Sequence, residues 1–571
     1  MKNKKLTQQD LYNSFLNELL SQHLFLPAKD VNQILIDKFN ITSENSRKIL
    51  SRAVLKNVIK SSKPFTFGNG QFIYYYNTYL LNIEDIKIIV EKSRPPVFRL
   101  LELLQLNGGV VSYYEALKIT SSPNELSSTK VVLLDDIIKL LNRLDLAYEK
   151  RDDNNNSFII LKEFKQVLDS PQEKILMRHH YLKMITDCNL IPDIMSWLVN
   201  SNIIDNTSFI YRNKSNPGFG VIHNNLFWDA FGYTKSTGIN KILGSKADSI
   251  EKQTLVVLDV VLASTYTSIH LDAFLDRIQI NINSVKSEKR KILPIIIFRD
   301  CNTEVFFTMR KNGIISFNIS AIFGAKIYEI LKRTSQLPLL LKDEENLDQL
   351  IESILKTINI SGQDGALKDL RGTLFEYLMY PYLNFLYPKA SFEQNRILKI
   401  GDRKHEFDYI ITSSNPPEIV FVELKGLRDG TFISLGDNKT KATLKWFFLK
   451  SMSLAKDFYK NLNPSNLKFK AIFITTAGYW ENTENFIEEM NNSSFRSVNS
   501  KTIIGRVELL ENLQEKGFKN EARMIEKYYS KLDDDDEINY FNEYNEEVVE
   551  NVNISKSDNS GEINRILDGL L

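Results

Sequence analysis

Ile419-Val420-Phe421-Val422-Glu423-Leu424-Lys425-Gly426 is an apolar run that ends in two opposite charges. Its β-branched and aromatic residues predict a buried strand. Side chains alternate faces along a strand, so Ile419, Phe421, Glu423 and Lys425 share one face, and Val420, Val422 and Leu424 share the other. A carboxylate and an ammonium therefore stand side by side at the end of a buried row, where charge is costly unless it is paired.

Fifteen residues before Glu423, Asp408 precedes a second β-branched and aromatic run, Tyr409-Ile410-Ile411-Thr412. Asn415-Pro416-Pro417 between the runs reads as a turn. This predicts a hairpin with Asp408 on one arm and Glu423 and Lys425 on the other. Further upstream, Leu374-Phe375-Glu376-Tyr377-Leu378 falls in a helical pattern of apolar residues, which lets Glu376 reach the same site from a helix packed on the sheet.

Two or three carboxylates converging at a sheet end make a hard-oxygen site suited to Mg²⁺, with Mn²⁺ as the alternative. Such a metal stabilises the charge of an in-line phosphoryl displacement and lowers the pKa of its water. The expected metal ligands are Asp408, Glu423 and Glu376, and Lys425 completes the expected catalytic set by orienting or helping to deprotonate the attacking water, or by neutralising the phosphorus centre.

The arrangement resembles the PD-(D/E)XK superfamily of restriction-endonuclease-like nucleases. Asp408 matches the motif aspartate, Glu423-Leu424-Lys425 the (D/E)XK triplet, and Glu376 the acidic residue that many members carry on their first helix. Phe407 stands where the family name has proline, a departure common among members. The resemblance spans residues 345 to 480, a quarter of the chain, and implies a mixed sheet flanked by helices and Mg²⁺-dependent cleavage of phosphodiesters. An acid, a gap and then acid-x-Lys also arises by chance in a chain that is 25% charged, mostly as surface salt bridges. Here the acids sit on two apolar strands in the right order, after an acidic helix.

At 571 residues the chain is too long for one core. No window approaches the run of about 18 apolar residues that a membrane span needs, and Met1-Lys2-Asn3-Lys4-Lys5-Leu6 lacks the apolar core of a signal peptide. No membrane partner and a cytoplasmic location are expected. Cys188 and Cys301 are too few and too far apart for a disulfide framework or a zinc knuckle. His179-His180 has no acidic or thiol partner at ligand spacing and reads as a structural pair. The net charge of +1 hides an asymmetry: from Leu532 onward there are twelve acids and two bases, and the rest of the chain has 70 bases against 59 acids. A basic body suits a polyanion such as DNA.

Taken in order, residues 1–85 read as a winged helix: helices over Leu11–Leu20, Pro27–Phe39 and Ser43–Lys60, then two short strands around Gly68-Asn69-Gly70. Arg47, Lys48, Arg52 and Lys56, with Lys60, give the third helix a basic face for a DNA groove. Residues 93–165 repeat the pattern, but Asp135, Asp136 and the acidic wing tip at Asp152-Asp153 fit a packing or dimerising module equally well.

Residues 170–345 read as a central α/β domain. Its order of strand with Asp229, strand with Asp259, helix and strand parallels that of residues 346–531, with Val261 in the place of Lys425. It is either a degenerate repeat of the nuclease-like domain or an unrelated α/β domain. Within 346–531, a helix over Asn438–Leu462 carries Lys439, Lys441 and Lys445 for the phosphate path. The tail 532–571 is too acidic to fold alone, and its terminal apolar face at Ile563, Ile566, Leu567, Leu570 and Leu571 fits a protein partner.

The expected fold class is multidomain α/β, with tandem N-terminal winged helices, a central α/β domain and a C-terminal restriction-endonuclease-like sheet. The expected function is a Mg²⁺-dependent DNA endonuclease of restriction or anti-phage type, in which a homodimer or sequential nicking would cut both strands. The rivals are a DNA-binding regulator on a nuclease scaffold and a nuclease acting on RNA.

Overall fold

The structure, a computed structural model, describes residues 7–63, 66–67, 72–79, 81–125, 132–152, 155–162, 170–205, 209–235, 254–283, 291–341, 343–437, 443–460 and 467–530. The turn at Gly68-Asn69-Gly70, Asp153, Lys439, Lys441 and the tail 532–571 lie outside the described residues. The chain is a multidomain mixed α/β protein in two compact units. The first takes in 1–184, 203–212 and 217–317, and the second 185–202, 213–216 and 318–571.

The first unit opens with helices Gln8–His23, Ala28–Phe39 and Ser43–Leu55 around Leu16, Leu20, Leu35 and Leu50. A small sheet orders the strands Phe25–Pro27, Ile73–Tyr76 and Ile59–Ser61 beside them. The third helix stops at Leu55 rather than at Lys60. Asn57 takes a left-handed conformation with φ 55°, which a right-handed helix cannot continue through, and Ile59 then buries in the sheet. Lys56 therefore caps the helix and Lys60 sits on a strand.

The second module has helices Pro95–Leu106, Tyr113–Thr120 and Leu134–Arg143. Its sheet orders Val110–Ser112, Ser157–Leu161 and Ala147–Arg151. Leu100, Leu104, Leu117, Ile137 and Leu141 share one core with Phe227, Ile269 and Ala273, so this module and the larger sheet that follows are built around common apolar side chains.

That larger sheet runs in the order Ile315–Asn318, Ile292–Cys301, Thr254–Tyr266, Ala230–Thr234, Ile210–Tyr211. Ala230–Thr234 pairs antiparallel with both of its neighbours, and Thr254–Tyr266 pairs parallel with Ile292–Cys301. A parallel pair needs a crossover, here the helix Ser268–Asn283.

The sheet of the second unit runs Ser391–Ile400, Arg403–Ser414, Pro417–Lys425, Lys468–Thr475, Ile503–Ile504. The first three strands form an antiparallel meander, and Lys468–Thr475 joins parallel to Pro417–Lys425. The crossover holds a π-helical stretch, Trp446–Ser451, continued by the helix Met452–Tyr459. Phe447 packs its ring against Phe407 and Phe473, and Phe407 packs against Phe421. Burying a side chain of this size contributes about 1.5–3 kcal/mol, so this aromatic layer fixes the crossover to one face.

On the other face the helix Lys368–Leu386 is tied down by Tyr409, whose hydroxyl donates to the Glu376 carbonyl at 3.0 Å. Asp193, on the helix Ile191–Asn200, accepts from the backbone N–H of Asp369 and Leu370 at 2.9 and 3.0 Å, capping the first turn of the Lys368–Leu386 helix. Within the second unit the helices Ile327–Thr334, Glu344–Ile360 and Lys368–Leu386 pack successively on one another.

Among the described residues no helix is long and apolar enough to cross a membrane.

Candidate functional site

Asp408, Glu423 and Lys425 meet where the strands Arg403–Ser414 and Pro417–Lys425 run toward the end of the sheet. Tyr409 pairs with Val422, so Asp408 and Glu423 lie just beyond the last regular pair of the ladder. Asp408 is inside its strand, which begins at Arg403 rather than at Tyr409. Phe407 and Ile410 belong to the same core as Phe421, although residues three apart on a regular strand face opposite ways. The alternation breaks at Asp408, which is how a strand re-aims a side chain.

The backbone N–H of Leu424 donates to Asp408 Oδ2 at 2.5 Å. Burial pushes the Asp408 carboxyl well above the usual aspartate range, and the nearby Glu423 and Glu376 push it further. For Glu423, burial alone would act the same way, but the Lys425 ammonium and His405 outweigh it and hold the carboxyl at about 2. Lys425 Nζ lies 2.6 Å from Glu423 Oε1, and His405 Nε2 lies 3.3 Å from Oε2. Glu423 keeps 9% of its side chain exposed and Lys425 26%, so the pair opens to solvent on the lysine side.

Glu376 is buried on its helix, and both its oxygens accept from Lys214 Nζ at 2.7 and 2.8 Å. Lys214 donates also to Thr373 Oγ1 at 2.7 Å. The structure therefore brings Asp408, Glu423 and Lys425 together and gives Glu376 a cation of its own, from which it adds to the field at Asp408 and Lys425. Of the three carboxylates expected to converge, Asp408 and Glu423 share the strand end and Glu376 faces Lys214. Among the described residues no group of three His, Cys, Asp or Glu side chains stands at metal-ligand spacing.

Gly426 follows Lys425 for a steric reason. A Cβ there would lie 2.4 Å from the Cβ of Phe375, so only glycine lets the Glu376 helix approach the strand end this closely.

His405, Glu406, Asn213 and Lys214 belong to this neighbourhood and were not singled out from the sequence. Asn213 donates to Glu406, whose carboxyl burial raises against the opposing pull of Lys214. A signal existed for His405, which shares the face of Phe407 by strand alternation. Lys214 and Asn213 had none, since they lie on a connecting segment 159 residues or more from their partners.

Of the basic residues expected to contact nucleic acid, five lie among the described residues. Arg47, Lys48, Arg52 and Lys56 are exposed, with Lys48 paired to Glu44 at 2.7 Å. Lys445 is half-buried at the start of the crossover helix.

No family model, curated protein or solved structure matches the chain.

Proposed function

We propose that the chain is a divalent-cation-dependent endonuclease that hydrolyses phosphodiester bonds of DNA at Asp408, Glu423 and Lys425. The observation that carries this reading is the local charge balance. Burial drives the Asp408 carboxyl toward its neutral form, the nearby Glu423 and Glu376 push it further, and Lys425 stands beside Glu423. A site where buried carboxylates crowd one another and offer hard-oxygen donors fits Mg²⁺, which binds through one or two carboxylates plus substrate phosphates. Asp408 and Glu423 would hold the ion, and Mn²⁺ fits the same donors. When bound, the ion supplies Lewis acidity and an activated water.

The chain's own residues do the rest. The Leu424 amide holds the Asp408 carboxylate in place, and Glu423 holds Lys425 at the solvent-facing edge of the pair. From there the Lys425 ammonium orients the attacking water and offsets the negative charge that builds on the phosphoryl oxygens. The three-helix module at the N-terminus has the order of a winged helix, and exposed Arg47, Lys48, Arg52 and Lys56 give it a cationic surface for the DNA backbone.

The test is a cleavage assay on duplex DNA, single-stranded DNA and RNA, each with Mg²⁺ and with EDTA. Cleavage of DNA that EDTA abolishes is expected. Cleavage of RNA alone would move the substrate class, and binding without cleavage of any of the three would leave a DNA-binding regulator on a nuclease scaffold.

A further inference from the structure

The first unit repeats the local architecture of the Asp408 centre. In its sheet, three successive pairings from the Ile210–Tyr211 edge are antiparallel, antiparallel and parallel. In the second unit, three successive pairings from the Ser391–Ile400 edge have the same directions. Ala230 pairs with Leu258, which puts Asp229 and Asp259 just beyond that pair, as Asp408 and Glu423 lie just beyond Tyr409 and Val422. An aromatic residue precedes the aspartate in both, Trp228 in one and Phe407 in the other. The same backbone bond recurs as well: the Val260 N–H donates to Asp229 Oδ2 at 2.8 Å, as the Leu424 N–H does to Asp408.

The two centres differ in what faces the acids. Val261 stands at the register position of Lys425. A different lysine, Lys118 on the helix Tyr113–Thr120, bonds Asp229 Oδ2 and lies 2.8 Å from Asp259 Oδ1. Arg277 donates to Asp259 Oδ1 at 2.9 Å and Tyr266 to Oδ2 at 3.0 Å. Tyr114 donates to Asp229 Oδ1 at 2.8 Å, and Arg212 reaches the same oxygen at 3.3 Å. Asp229 is 0% and Asp259 1% exposed, so neither a hydrated ion nor a phosphate reaches them.

We propose that the first sheet is a second copy of the nuclease-like sheet, sealed because the Lys118 ammonium occupies the place that a divalent cation takes between Asp408 and Glu423. The comparison of the two places rests on the proposed function, while the sealing rests on the first unit alone. Buried acids without a counter-charge destabilise a fold, and here the counter-charge comes from the chain itself. The second helical module is thereby ionically fastened to the sheet, and each chain keeps one cutting centre.

The test uses the full chain carrying D408N and E423Q, which silences the open centre. Mn²⁺ is titrated with free ion followed by electron paramagnetic resonance, and thermal unfolding is recorded with and without Mn²⁺. This background is expected to bind no Mn²⁺ saturably. Adding K118A is expected to create one Mn²⁺ site per chain and an Mn²⁺-dependent rise in the unfolding midpoint, both lost when D229N is added. A folded K118A chain that neither binds Mn²⁺ nor is stabilised by it overturns the proposal, and so does Mn²⁺ binding through Asp229 while Lys118 is present. Should K118A fail to fold without metal, refolding becomes the readout: recovery with Mn²⁺ alone supports the proposal, and no recovery either way overturns it. A wild-type titration reads the Asp408 centre separately, so failure there is charged to the proposed function and not to the sealed copy.

Discussion

The Leu424 backbone N–H donates to Asp408 Oδ2 at 2.5 Å, so the strand that carries Glu423 and Lys425 itself orients the aspartate of the neighbouring strand. The register of the hairpin and the composition of the site are therefore one property. A slip of one residue would turn Glu423 and Lys425 to the opposite face and remove the amide from Asp408.

Lys425→Ala is expected to lower cleavage without weakening metal binding, because an ammonium has no lone pair to give a cation. By comparison with loss of one preorganised donor at a developing negative charge, the cost is about 2–4 kcal/mol. In rate this is about 30- to 1,000-fold. Single-turnover cleavage over a range of Mg²⁺ concentrations reads both quantities. A Mg²⁺ requirement that rises in step with the loss of rate would make Lys425 part of the ion's site instead.

Gly426→Ala is expected to act through packing. The added methyl meets Phe375 at 2.4 Å, and relieving such overlap in a packed core costs about 1–3 kcal/mol. Thermal unfolding should show the loss, and cleavage should fall as the Glu376 helix moves off the strand end. Unchanged stability would contradict the close approach.

Replacing Arg47, Lys48 and Arg52 together by Ala is expected to weaken DNA binding and to reduce the slope of log affinity against log salt by about one unit per lost phosphate contact. Cleavage would recover at saturating protein. If the slope is unaffected by the triple replacement, this helix serves protein contacts.

His270 supplies a pH-dependent contribution in the first unit. Burial lowers its pKa to about 4, against the opposing pull of Asp259, and its Nδ1 accepts from the Thr267 N–H at 3.2 Å. Between pH 6.5 and 4 the unfolded chain takes up a proton here that the folded chain does not, so stability falls as pH drops through this window, by about 3 kcal/mol in full. Unfolding midpoints recorded across it should drop less in His270→Asn, whose amide oxygen can still accept from Thr267. Parallel pH profiles would rule out this role.

Much of the site was legible because strand chemistry is local. The run from Ile419 to Lys425 and the run after Asp408 are dense in β-branched and aromatic residues, and period-two alternation placed Glu423 and Lys425 on one face. The strand Ser391–Ile400 gives no local signal because Leu398 alone on it is buried and the rest is exposed or half-exposed, with Glu393, Gln394 and Arg396 among them. The third helix was read too long because a single left-handed residue, Asn57, ends it. Lys214 on Glu376 and Lys118 on Asp229 were out of reach of any local pattern, since long-range ion pairs depend on which segments the finished fold brings together.

The most direct measurement is single-turnover cleavage of duplex DNA in Mg²⁺ by wild-type protein and by Asp408→Asn, with DNA affinity measured in parallel in Ca²⁺. The substituted carboxamide keeps the shape and an acceptor for the Leu424 amide but gives up the charge. Wild-type protein is expected to cut and the variant to fall to background, with the two binding DNA within about threefold of each other, a difference of less than about 1 kcal/mol. A folded Asp408→Asn protein that cuts at the wild-type rate would contradict cleavage at the Asp408 centre.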